Sequence, residues 1–426
     1  MSPRDKAFHL FYGWWIVAAT FLAGVYIGGT VFYGFTAFFE PIASDLNWSY
    51  TQVSIGASLR GLETGILAPF VGILADRWGP RRLLGIGAFI TAAGLAVIAA
   101  THSLTTFYSG FALVAIGTSA CTQTVMMTAI ANWFRRNVGL ASGIAMCGFG
   151  FSGFLIPLIV RLIQVYDWRT TMNLLALGMV LLVVPLAGFL RHKPEQYGQL
   201  PDGLPVPLSH LPAEGQLPAE SEPTVREAVG SRTFWTITLT VIYTMMTMHA
   251  VTTHVMPYLS SMGFSRYISG LAATAIPLTS IVGRLGLGGL GDRYDKRLVM
   301  AAGLALVGGS LLLFTYTTPA SLWLLVIFLV INGIGNGGTL VLRPSLCREF
   351  FGRKHFGGIL GLIIGIGHLG SLIGPTAAGW AYDNWGGYQT IWLVFAGLAV
   401  IPTIATLLIN PASTAGDGFD AARHSV

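Results

Sequence analysis

Apolar stretches long enough to cross a membrane recur along nearly the whole chain. They lie near residues 14–38, 51–75, 82–101, 104–133, 138–163 and 169–190, and again near 232–261, 266–290, 298–317, 320–347, 355–381 and 389–409. A spanning helix needs ~20 mainly apolar residues, so the pattern predicts an all-α polytopic membrane protein with twelve transmembrane helices. The balance of residues agrees, since 53% are hydrophobic, 10% are charged and the mean hydropathy is +0.67. A soluble protein could not bury that much apolar surface.

The stretch 191–231 interrupts the series with seven prolines and a polar composition, which reads as a linker. The expected divisions are a six-helix bundle over 1–190, a linker over 191–231, a second six-helix bundle over 232–410 and a tail over 411–426. Of the 24 lysines and arginines, 18 fall at one set of helix ends, Arg161, Arg169 and Arg266 fall at the other, and Arg60, Arg284 and Arg343 fall inside spans. The positive-inside rule therefore places both termini and the linker in the cytoplasm. The N-terminal apolar run extends far beyond a signal-peptide core and is expected to stay as a helix.

The two halves repeat. Gly72-Ile73-Leu74-Ala75-Asp76-Arg77 recurs 216 residues later as Gly288-Gly289-Leu290-Gly291-Asp292-Arg293, each followed by a basic pair. Small residues allow close helix approach, the aspartate can accept bonds from a neighbouring helix N-terminus, and the basic residues hold the turn inside. The glycine series in the fifth and eleventh spans, including Gly139, Gly143, Gly357, Gly361 and Gly365, reads as packing surface.

Several function classes are excluded. The net charge of +6 is spread over helix ends and does not point to nucleic acid. The sequence has no P-loop, metal-ligand cluster or nucleophile–base motif, so neither direct ATP drive, a cofactor nor enzymatic catalysis is expected. Cys121, Cys147 and Cys347 have no pairing or metal spacing and read as apolar packing residues.

The polar groups within spans are the candidates for chemistry. A charge inside the bilayer costs ~2.5 kcal/mol or more, so Arg284 faces protein or water. It either caps or pairs structurally, or it is a fixed cation that receives an anionic solute. Tyr243, Thr247, His254 and Tyr258 share a helix face that could line a cavity, although Tyr258 could instead anchor at the membrane interface. His254 could donate to a carboxylate or carry a proton, with His368 behind it. Asn332 and Asn336 share a face, and Asn332, near mid-span, is the preferred lining residue. Helix–helix hydrogen bonding is the alternative for both. Arg60 and Glu63 are spaced for a local structural or gating pair.

The repeated Gly-x-x-x-Asp-Arg motif within twelve spans resembles the major facilitator superfamily over nearly the whole chain. More narrowly, Gly13-Trp14-Trp15 and Trp133-Phe134-Arg135-Arg136-Asn137-Val138-Gly139-Leu140-Ala141-Ser142-Gly143 resemble motifs of the monocarboxylate transporter family. Here Tyr12 stands where that family has an acid, Ser280 stands where animal members have an aspartate, and residues 14–38 lack their lysine.

The resemblance implies two pseudo-symmetric bundles rocking about a central site, with Arg284 holding a substrate carboxylate. It also implies a cavity lined by the first, fourth, seventh and tenth helices, which makes Tyr26, Thr30, Tyr33 and Gln123 candidates. The expected activity is proton-coupled symport of small monocarboxylates such as lactate and pyruvate, with His254 or Arg284 in the coupling. The alternatives are an oxalate/formate-type anion exchanger and a non-transporting sensor. The expected partners are the anion, the proton and the lipid bilayer, for a monomer in the plasma (inner) membrane.

Overall fold

The computed structural model describes residues 11–121, 123–134, 138–191, 194–197, 224–352 and 356–409. The side chains of Arg60, Glu63, Asp76 and Gln123 fall outside the described residues, as does 410–426.

Every regular element among the described residues is helical. The first six long helices are α1 (Gly13–Leu46), α2 (Tyr50–Trp78), α3 (Pro80–Ala99), α4 (Leu104–Ala120 followed by Gln123–Trp133), α5 (Val138–Phe151 running through a 3₁₀ turn into Leu155–Tyr166) and α6 (Trp168–Phe189). The second six are α7 (Arg232–Ser261), α8 (Arg266–Arg293), α9 (Lys296–Thr315), α10 (Leu322–Phe351), α11 (Phe356–Trp385) and α12 (Gln389–Leu407). Among the described residues, eleven helices are both long and apolar enough to cross a membrane. The twelfth, α2, has 29 residues, and its sequence carries Arg60, Glu63, Asp76 and Arg77.

Local chemistry starts these helices where the sequence turns. Ser231 and Ser265 cap α7 and α8 by accepting from Phe234 N and Ile268 N at 3.2 and 3.3 Å. Asp167 caps α6 through Thr170 N at 2.7 Å. Asp295 caps α9 through Arg297 N at 2.9 Å, and its hydrogen bonds from the Arg297 side chain hold its carboxyl below the usual carboxylate range. The acid that caps α9 is thus Asp295, while Asp292 and Arg293 of the second motif are exposed. The reason is register, because α8 runs on to Arg293 and leaves Asp295 just ahead of the first turn of α9.

The chain starts α1 at the end where α6 stops and α7 begins, called here the linker end; the opposite end is the distal end. The two bundles meet through α1 and α7, through α2 and α11, and through α5 and α8. The sequence repeat maps α2 onto α8 and α5 onto α11, so the last two pairs are the same contact seen twice.

Among the described residues, the polar contacts between the bundles lie in the distal and middle parts. The Asp383 carboxylate of α11 accepts from Tyr50 N at 3.1 Å and Thr51 N at 2.7 Å, capping the first turn of α2 from the other bundle. The Tyr50 and Tyr382 rings stack at 4.2 Å. Ser58 Oγ and Thr376 Oγ1 pair at 3.0 Å, Thr36 Oγ1 accepts from Met256 N at 3.2 Å, and Arg266 Nη2 donates to Ala37 O at 2.9 Å.

Glycines record the same asymmetry. On the interface, a Cβ at Gly153 would overlap the Thr274 carbonyl, and one at Gly379 would overlap Ser54. At Gly143, Gly357, Gly361 and Gly365 a Cβ would meet nothing within 4 Å. The surroundings of Gly139 lie outside the described residues; among the described glycines the expected packing is met away from the linker end and not at Gly143, Gly357, Gly361 or Gly365.

The trans cap leads to a direct test. Losing an N-cap acceptor costs about 1 kcal/mol, roughly a fivefold change in population. Asp383→Ala should shift spin-label distances across the distal end toward a wider form, measured by double electron–electron resonance. An unchanged distance distribution would show that this cap does not hold the end shut.

Candidate functional site

Arg284 sits in the linker-end half of α8, and its surroundings are set by unusually close helix packing. A Cβ at Gly283 would overlap the Ile334 carbonyl, and one at Gly337 would overlap the Ser280 carbonyl, so α8 and α10 touch backbone to backbone. Thr279 Oγ1 adds a bond to Leu329 O at 2.9 Å. This contact brings Arg284 and Asn336 to the two sides of one pocket. Its lining is Arg284, Ser280 and Ile276 from α8, Asn332, Gly333, Asn336, Gly337 and Leu340 from α10, Met248, Val251 and Thr252 from α7, and Tyr33 from α1. The cavity volume is only about 20 Å³. That is room for about one ordered water, so even a small solute would have to push the walls apart.

Arg284 is poorly compensated. Nη1 donates to the Met146 carbonyl of α5 at 3.2 Å, while Nε is buried without a partner. The salt bridges among the described residues, Arg169–Asp45, Lys296–Glu349 and Arg297–Asp295, all lie at helix ends, and none includes Arg284. The structural-pair alternative for Arg284 finds no acid among the described residues. What remains is a guanidinium whose Nε–Nη2 edge makes no hydrogen bond there, and that edge suits a carboxylate side-on.

The asparagines form a directed chain. Asn336 Nδ2 donates to Asn332 O at 3.0 Å and to Asn332 Oδ1 at 3.1 Å. Asn332 Nδ2 donates to Ser310 Oγ at 2.9 Å, and Ser310 Oγ donates to Val307 O at 2.7 Å. Asn332, the preferred lining residue in the sequence, spends its amide on this chain. Asn336 is the member left with an unpartnered atom, Oδ1.

The other sequence candidates stand elsewhere. Tyr26 donates to Leu175 O of α6 at 2.8 Å, and it is Tyr33 that lines the pocket. Seven residues apart on an α-helix would share a face, but Gly28–Tyr33 is a π-helical turn whose extra residue per turn rotates the two tyrosines apart. Tyr258 donates to Phe314 O at 2.7 Å and Thr315 O at 3.1 Å, tying α7 to the end of α9. Tyr243 does the same with Phe395 O of α12 at 3.2 Å.

His254 is fully buried at the distal interface. Its Nδ1 meets Tyr388 Oη at 3.0 Å, and its Nε2 lies 2.9 Å from Pro375 O and 3.1 Å from Ser54 Oγ. Ser54 Oγ already donates to Tyr50 O at 2.6 Å, so Nε2 carries the proton and donates, and Nδ1 accepts from Tyr388. The polar face of α7 therefore turns into its own bundle, and the pocket receives the Met248–Val251–Thr252 face. The sequence offered no sign of this, because both faces follow helical spacing.

His368 donates from Nδ1 to Ile364 O at 2.8 Å, away from the pocket lining. Arg343, given no role from the sequence, is 3% exposed, and its Nη2 donates to Thr244 Oγ1 inside the second bundle.

Comparison with known proteins now places the chain. The Major Facilitator Superfamily profile matches residues 19–286 and 255–424. The chain belongs to the Major Facilitator Superfamily. It is 25% identical to monocarboxylate transporter 13 of Bos taurus over 407 residues, covering 94% of this chain and 89% of that one. It is 24% identical to the uncharacterized MFS-type transporter YcxA of Bacillus subtilis (strain 168), covering 96% of each. Two solved structures share the fold. They are the nucleoside transporter NupG (TM-score 0.73, 15% identity, 93% of this chain and 99% of that one) and an inward-facing bacterial homologue of the lysosomal transporter Spinster (TM-score 0.71, 15% identity, 93% and 96%). The superfamily fold puts the pocket where the two bundles meet, with Tyr33 from the first and the other lining residues from the second.

The α8–α10 contact that frames the pocket is testable. Gly337→Leu should destabilise the protein by about 3 kcal/mol through overpacking, lowering the melting midpoint in detergent. Gly286→Leu, with nothing within 4 Å of its Cβ, should leave that midpoint unchanged. Equal midpoints for the two variants would show that backbone contact does not hold these helices together.

Proposed function

We propose that this chain is a secondary carrier that moves small monocarboxylates with a proton by alternating access. The observation that carries the proposal is Arg284: a cation inside an apolar bundle, lining the pocket shared by the two bundles, with an unbonded Nε and no acidic partner among the described residues. A half-buried charge of this kind, with its Nε shut off from solvent, is only partly compensated until an anion arrives. The similarity to monocarboxylate transporters supports a small organic anion. One cation in a narrow space favours a monoanion over a dianion, since Arg343 does not line the pocket.

The charge bias puts the linker end in the cytoplasm, with both termini inside and the chain in the plasma (inner) membrane, working as a monomer. On that orientation this conformation is closed outside and parted inside. The unopposed glycines of α5 and α11 at the linker end are surfaces ready to meet when the bundles rock the other way. Proton coupling needs no acid beside Arg284. Protonating the bound carboxylate removes the charge that Arg284 holds and promotes release. With His254 engaged at the distal interface, the substrate itself is the better proton carrier.

The test is uptake of labelled lactate by purified protein in liposomes. Uptake should rise with an inward proton gradient and fall at least tenfold in both Arg284→Ala and Arg284→Lys, because lysine lacks the planar fork. Near-normal uptake by Arg284→Ala would remove it from the site. Uptake that ignores the gradient but rises with internal carboxylate would favour the anion exchanger.

A further inference from the structure

We propose that Asn336 makes this site selective for 2-hydroxy monocarboxylates over their 2-oxo counterparts. The inference rests on the reading of Arg284 as the carboxylate site and adds the chemistry of the neighbouring carbon.

Three observations support it. First, the orientation of the Asn336 amide is fixed by what it faces. Its Nδ2 lies against two acceptors, the Asn332 carbonyl at 3.0 Å and Asn332 Oδ1 at 3.1 Å. A flipped amide would set its oxygen against both.

Second, the chain behind it cannot reverse. Ser310 Oγ gives its single proton to Val307 O at 2.7 Å and so accepts from Asn332 Nδ2 at 2.9 Å, which leaves Asn332 Oδ1 as an acceptor. Every donor points away from the pocket into α9. The end of the chain on the pocket side is therefore an acceptor, Asn336 Oδ1, and it is buried with no partner.

Third, this unpaired acceptor and the unpaired Arg284 Nε donor belong to residues lining one small pocket. They flank the helix contact made by Gly283 and Gly337.

A 2-hydroxy monocarboxylate satisfies both groups at once. Its carboxylate lies on the Nε–Nη2 edge of Arg284, and its hydroxyl donates to Asn336 Oδ1. A 2-oxo acid sets a carbonyl lone pair against the same oxygen, and an unsubstituted acid leaves it unpaired. A 2-ammonium group could donate too, but it would bring a second cation to Arg284. An unmade hydrogen bond at a buried acceptor corresponds to roughly tenfold in affinity. Asn332 and Ser310 act as positioning residues that hold the amide in place.

The experiment is competition against labelled lactate uptake in proteoliposomes by 2-hydroxypropanoate, 2-oxopropanoate and propanoate. The wild-type protein should bind the hydroxy acid about tenfold more tightly than the oxo acid. In Asn336→Ala that ratio should fall to near one, whatever happens to the absolute affinities. Asn332→Ala, which frees the Asn336 amide to turn, should lower the ratio part-way. Equal inhibition by the hydroxy and oxo acids of the wild-type protein overturns the inference and leaves the carboxylate site standing. So does a ratio that persists in Asn336→Ala. Absence of labelled uptake, or competition unaffected by Arg284→Ala, overturns the site itself and this inference with it.

Discussion

A guanidinium held in an apolar helical bundle without an acid beside it is the constraint around which the rest is arranged. Desolvating such a charge is costly, and the bundle offsets only part of it, with one bond from Arg284 Nη1 to the Met146 carbonyl. The bundle can hold Arg284 there because α8 and α10 make backbone contact at Gly283 and Gly337. That contact fixes the position of the guanidinium and carries Asn336 to the facing wall. On the proposed function the remaining donor capacity of Arg284 is left for a ligand, and binding of an anion would supply the missing counter-charge.

The rocking motion of the proposed carrier would depend on a second asymmetry, in how the bundles meet. At the distal end they are joined by polar bonds that need both partners in register, including the Asp383 cap on α2 and the contact of His254 with Ser54. At the linker end, small surfaces on α5 and α11 face open space. Glycine surfaces close by van der Waals contact without interlocking side chains, so a bundle can swing onto them as the distal bonds part. Because the pocket takes residues from α1, α7, α8 and α10, any such swing changes its width, and the narrow space seen here would open or tighten with it.

The twelve helices were legible because spanning length and apolar composition are local properties. The repeat was legible because two motifs 216 residues apart keep their spacing. Arg284 was legible because a charge in an apolar segment needs a reason. Tyr26, Tyr258 and His254 stand away from the pocket lining for tertiary reasons. A π-helical turn at Gly28–Tyr33 changes which tyrosine of α1 reaches the pocket. The polar face of α7 turns toward α9, α11 and α12, where its hydroxyls and imidazole meet carbonyls and Tyr388. Helical spacing shows which residues share a face but not which way that face points. Likewise, the sequence put Asn332 and Asn336 on one face, but only the hydrogen-bond chain into Ser310 shows which of the two has an atom to spare.

The most direct test is an experimental structure with lactate bound. The account predicts a carboxylate within about 3 Å of the Arg284 guanidinium, between α8 and α10 and within reach of Tyr33. Density for lactate at another position, with Arg284 engaged instead by a protein carboxylate, would contradict it.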